Sequence, residues 1–87
     1  MKKTITVTAK DIQKATDLIA ADGPRTECCP IALAARRVFR KPVRVSYEAI
    51  AVADHKYFYL PSQAAKFIDN FDNGLDVEPF SFEVAAH

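Results

Sequence analysis

Thr4-Ile5-Thr6-Val7-Thr8 alternates polar and apolar side chains with a period of two and is rich in β-branched residues. Residues 3–8 therefore read as a strand with Ile5 and Val7 facing a core. A helix should follow at once. Thr8 and Asp11 stand in capping-box spacing, and Ile12, Ala15, Leu18 and Ile19 form an apolar stripe behind them. Asp22-Gly23-Pro24 closes this helix, with glycine expected to take the left-handed conformation and proline unable to continue. A loop over 24–28 leads to a second helix with Pro30 at its first position and Ile31, Ala34, Ala35 and Val38 on one side. Arg36, Arg37, Arg40 and Lys41 finish it, where cations complement the helix dipole, and Pro42 breaks it.

From Val43 to Leu60 the period returns to two, which predicts short antiparallel strands. Asp54-His55 is the expected hairpin turn between 49–53 and 56–60, with Tyr47-Glu48 as the earlier turn. A third helix opens at Pro61-Ser62, carries Ala64, Phe67, Ile68 and Phe71 on one face, and stops at Asn73-Gly74. The last segment, 77–84, reads as a strand with Phe80, Phe82 and Val84 on one face, Ser81 and Glu83 on the other, and Pro79 near its start. The order β-α-α-β-β-β-α-β defines an α+β domain spanning 1–87. It should hold a single small antiparallel sheet with about three helices packed on it, and Phe67, Phe71, Phe80 and Phe82 should supply much of the core.

Composition narrows the function. With 49% hydrophobic residues and a net charge of +1 in 87 residues, the chain can bury a core and is not a disordered one. A domain this short buries roughly 60% of its unfolded surface, which points function to the surface and away from deep pockets. No apolar run approaches the roughly 20 residues that span a bilayer, and the start lacks a signal-peptide core, so no membrane partner and a cytoplasmic location are expected. Two glycines cannot build a phosphate-cradling loop.

The net charge conceals an asymmetry. Residues 1–44 hold ten Lys/Arg and four Asp/Glu, giving +6, while residues 45–87 hold two and seven, giving −5. Two faces of opposite sign would steer partners, and interleaved charges would form weak surface pairs. The basic set Arg25, Arg36, Arg37, Arg40, Lys41 and Arg44 could grip phosphates, with Tyr47, Tyr57 and Tyr59 stacking bases. Against this, a sequence pI near 7.8 is low for a nucleic-acid-binding domain. The acidic set Asp69, Asp72, Asp76 and Glu78 could meet the Lys and Arg of a protein partner, although Gly74 interrupts the helix that would align it.

Cys28-Cys29-Pro30 puts a thiol at a helix N-terminus, where the dipole favours thiolate. The alternative is a small buried residue. A catalytic cysteine would need His55 or His87 as base, and neither spacing supports it. Adjacent cysteines fit neither a disulfide framework nor the gap of a structural zinc site, so no metal and no cofactor are expected.

The pieces Ile5-Thr6-Val7-Thr8-Ala9-Lys10-Asp11-Ile12, Cys29-Pro30-Ile31-Ala32-Leu33-Ala34, Leu60-Pro61-Ser62 with Phe67-Ile68 and Phe71-Asp72, and Val77-Glu78-Pro79-Phe80-Ser81-Phe82-Glu83 together span most of the chain. In these the sequence resembles a group of small proteins of phages and bacterial mobile elements, from which it departs at Cys28. The resemblance implies a context and no site residues. Small phage domains without a catalytic constellation commonly bind host proteins, anti-CRISPR inhibitors of CRISPR-Cas complexes among them.

Two expectations follow. The first is a non-catalytic module, not an enzyme, that occludes a host protein or protein complex through Asp69, Asp72, Asp76 and Glu78. The alternative is a small nucleic-acid-binding protein that uses Arg36, Arg37, Arg40, Lys41 and Arg44. A half-basic, half-acidic chain could also pair with itself as a homodimer.

Overall fold

The computed structural model describes residues 2–53 and 56–85. The elements run β1 (Lys2–Val7), α1 (Ala9–Ala20), α2 (Arg25–Cys28), α3 (Pro30–Phe39), β2 (Val43–Val45), β3 (Ala49–Val52), β4 (Lys56–Tyr59), α4 (Ser62–Asp72) and β5 (Phe80–Ala85). This is the α+β class that the alternating periods predict. The expected turn at Asp54-His55 lies outside the described residues, as do both histidines of the chain.

The capping box at the start of α1 forms in full. Thr8 Oγ1 accepts from the Asp11 amide at 3.2 Å, and the Thr8 amide donates to Asp11 Oδ2 at 2.9 Å. The end of α1 differs from expectation, because Asp22 and not Gly23 takes the left-handed conformation, with φ 68°. Asp tolerates that region through its short polar side chain. Gly23 is required for space instead. A Cβ there would stand 2.7 Å from the Leu18 carbonyl oxygen and 2.9 Å from Cys28 Sγ.

A fourth helix, α2, occupies part of the segment read as a loop. Pro24, with φ −68°, presets the turn, and its carbonyl accepts from the Glu27 and Cys28 amides at 3.0 and 2.9 Å. One turn is too short to show a periodicity, which is why the pattern missed it. α3 is the central helix, with Pro30, Ile31, Ala32, Ala34 and Ala35 all buried. α4 carries its predicted face inward, and Gly74 ends it with φ 76°.

The expected single sheet resolves into two antiparallel ladders, one of β1 and β5 and one in the order β2-β3-β4. β4 lies beside β5, but no ladder joins them. β4 is only four residues long and leads into Pro61, which has no N–H to donate. β5 also starts later than predicted, at Phe80, since Val77, Glu78 and Pro79 run outside the ladder. Alternation sets the faces: Ile5, Val7, Val43, Val45, Ile50, Val52, Phe58, Phe82 and Val84 point inward. Of the predicted phenylalanine core, Phe67 and Phe82 are buried, while Phe71 and Phe80 pack from its edge. Phe67 stacks on Phe80 at 4.7 Å and Phe80 on Phe82 at 5.2 Å.

Candidate functional site

α3 and β2 are joined across Pro42, so the cations of the helix end and Arg44 of the following strand stand close together in the chain. Arg36, Arg37, Arg40 and Lys41 line a surface groove of about 530 Å³ with Glu27, Pro42 and Val43. A second groove shares Glu27, Pro42 and Val43 with the first and is lined also by Arg44 and Tyr57. All five predicted basic residues thus line one or the other of two grooves that share a wall. Among the described residues, Glu27 lies in the groove wall and Asp11 lies behind Arg37.

The five cations differ in their commitments. Arg37 grips Asp11 with both terminal nitrogens at 2.8 Å and reaches the Thr6 carbonyl at 3.0 Å. Asp11 is 5% exposed. The hydrogen bond from Arg37 holds its carboxyl below the usual carboxylate range, against the opposing effect of burial. Arg37 is therefore chiefly a tie between α3 and the start of α1, and its own pKa is raised by the same bond. Arg36 donates to the Glu27 carbonyl and fixes α2 against α3. Arg40 closes α3 in the left-handed region, with φ 55° and ψ 34°, a conformation that disfavours any residue bearing a Cβ.

Two members of the wider basic and aromatic set lie elsewhere. Arg25 pairs with Asp72 at 3.0 Å, and Tyr47 donates its hydroxyl to the other Asp72 oxygen at 3.0 Å. That bond, which favours the neutral phenol beside a carboxylate, raises the Tyr47 pKa. Arg25, Tyr47 and Asp72 thus form a clasp between α2, the β2–β3 turn and the end of α4. Tyr57 and Tyr59 remain on β4, each 54% exposed.

The acidic set is distributed over two segments. Asp69 and Asp72 belong to the last turn of α4, where Asp69 accepts from the Asn73 side chain at 3.2 Å and Asp72 is held in the clasp. Asp76 and Glu78 lie past Gly74, on the chain leading to β5, beside the exposed Leu75. Neither Leu75 nor the Asp11–Arg37 tie was signalled by the sequence, since a lone leucine and a pair 26 residues apart leave no local pattern.

Cys29 is 3% exposed, and its Sγ accepts from the Ala32 amide at 3.4 Å as the N-cap of α3. Burial pushes this thiol up to about 11, so desolvation overrides the thiolate-favouring helix terminus. Among the described residues no three of His, Cys, Asp and Glu converge in a metal-binding arrangement. No helix of the described residues is long and apolar enough to cross a membrane.

No protein-family model, curated protein or solved structure matches the chain.

Proposed function

We propose that this protein is a non-catalytic nucleic-acid-binding module whose contact surface is the pair of grooves bordered by Arg36, Arg37, Arg40, Lys41 and Arg44. The observation that carries the reading is the gathering of five cations around two grooves that share a wall. A phosphate backbone presents a row of anions that such a strip can track, and the counterions released on contact supply most of the affinity. Arginine suits the task through its bidentate donor fork.

The test is fluorescence anisotropy with a labelled mixed-sequence oligonucleotide between 50 and 300 mM salt, using conditions chosen for the assay. If three to five cations meet phosphates, log affinity should fall with log salt with a slope between about −2 and −4. Arg40→Glu with Arg44→Glu should abolish binding, whereas Asp76→Lys with Glu78→Lys should not weaken it. A flat salt response, or no binding at the lowest salt, overturns the reading.

A second reading, a module of phage type that occludes a host protein, is favoured by one observation. Leu75 is 58% exposed and is followed by Asp76 and Glu78, so an apolar anchor stands beside two carboxylates. A nuclease-resistant protein complex that Leu75→Glu abolishes and Arg40→Glu leaves intact would establish it in place of the first.

A further inference from the structure

The basic grooves account for charge but not for the outer face of the three-stranded sheet. Strand register puts Arg44, Ala51 and Tyr57 opposite one another across β2, β3 and β4, and puts Ala49 opposite Tyr59 in the adjacent row. The opposite face holds Val45, Ile50 and Phe58, all buried, so by the alternation of the pleat both rows point outward. Both tyrosines stay more than half exposed. Tyrosine is a common strand residue, and that alone would explain one of them. It does not explain two in alternate positions beside a strand whose outward residues are both alanine, with an arginine across the same row.

We infer that this face is a stacking platform and that the ligand of the basic groove is single-stranded nucleic acid. The inference rests on the nucleic-acid reading above and adds the strand state. Tyr57 and Tyr59 are anchored two residues apart, roughly 6.6 Å along the strand, which leaves room for one base against each ring. Ala49 and Ala51 contribute only methyl groups to this face of the middle strand. Arg44, about two strand spacings or roughly 10 Å from Tyr57, is placed to hold the phosphate on the groove side. A duplex keeps its bases stacked inside and can offer the rings nothing but backbone, whereas unpaired bases can splay onto aromatic side chains.

The experiment compares a labelled 12-nucleotide DNA strand, the RNA of the same sequence, and the DNA annealed to its complement, with wild-type protein and the variants Tyr57→Ala, Tyr59→Ala and Tyr57→Phe. At least one single strand should bind tenfold or more tightly than the duplex. Each alanine variant should lose about five- to a hundredfold in single-strand affinity, the range measured for base–aromatic stacks, and leave duplex affinity unchanged. Tyr57→Phe, which keeps the ring, should bind like wild type and controls for folding. The chain has three tyrosines and no tryptophan, so the same stack should quench tyrosine emission on single-strand binding, and less in Tyr57→Ala. Equal affinity for single strand and duplex, with the alanine variants unchanged, overturns the platform and leaves the charge reading standing. Binding to none of the three probes overturns both.

Discussion

Replacing Arg40 with glycine should stabilise the fold while weakening the ligand contact, and the two effects can be separated. Arg40 sits at φ 55° and ψ 34°, where its amide closes α3 on the Arg36 carbonyl at 2.8 Å. A residue with a Cβ spends about 1–2 kcal/mol to hold that conformation. Glycine avoids this cost but loses more chain entropy on folding, by about 0.5–1 kcal/mol. The difference favours Arg40→Gly by roughly 0.5–1 kcal/mol, and a change of 1 kcal/mol moves the melting temperature of a domain this size by about 4–8 °C. Arg40→Ala is the matched control, since it removes the same charge and keeps the Cβ. Thermal melts followed by circular dichroism should place Arg40→Gly several degrees above Arg40→Ala. In the anisotropy assay both should shorten the salt slope equally, by about one phosphate contact. If glycine melts no higher than alanine, the backbone at position 40 carries no strain and the argument fails. If the slope is unchanged in both, Arg40 meets no phosphate.

Two further outcomes test the tie and the turn beneath the site. Asp11→Asn should cost about 1–2 kcal/mol at pH 7, because it leaves the cap acceptor but removes the charge that Arg37 grips. The Asp11 carboxyl is depressed, so its contribution is present above the ordinary carboxylate pKa of 3.8 and is lost as pH falls through the lower folded value. Urea denaturation of wild type and variant should therefore begin to converge at about pH 3.8 and meet once the pH has passed the lower folded value, and a gap independent of pH would refute the tie. Gly23→Ala should cost about 1–3 kcal/mol, since a backbone oxygen cannot give way as a flexible side chain would. Adding Cys28→Ala should recover only part of the lost melting temperature, because the contact with the Leu18 carbonyl remains. A single variant that melts with wild type would show that the turn relaxes freely.

What the sequence revealed was whatever its neighbours in the chain decide. The Thr8–Asp11 box, the inward face of α4 and the stop at Gly74 each depend on residues within a turn or two, and each stands where the pattern predicts. The missed features depend on distance or on space. Lys2 pairs with Ala85, nearly the full length of the chain away, and no local pattern shows that β1 and β5 will leave the other strands to form their own ladder. The Asp22-Gly23-Pro24 pattern predicts a conformational need at Gly23, whereas the need is spatial and visible only once Cys28 Sγ lies against it. Within the site, the five cations were legible because they crowd a short stretch of chain. That Tyr47 would turn away to Asp72 while Tyr57 and Tyr59 stay on the sheet was not, because only the register decides which tyrosines share a face.

The charge asymmetry shows how this selection works. As a difference between halves it does not survive folding intact, since Arg25 of the basic half closes on Asp72 of the acidic half. As a local run it does. Residues 36–44 contain five cations and no carboxylate, and α3 and β2, which carry the two arms of the run, pack against each other. Carboxylates that meet such a run come from elsewhere in the chain, as Asp11 does for Arg37. Surface pairs add little stability, so the fold gains nothing by concentrating like charges that must repel one another across a shared groove. The ligand proposed above, an anionic backbone, would relieve that repulsion. The unfavourable backbone at Arg40 points the same way, because glycine would close the helix more cheaply and would leave the groove one cation poorer.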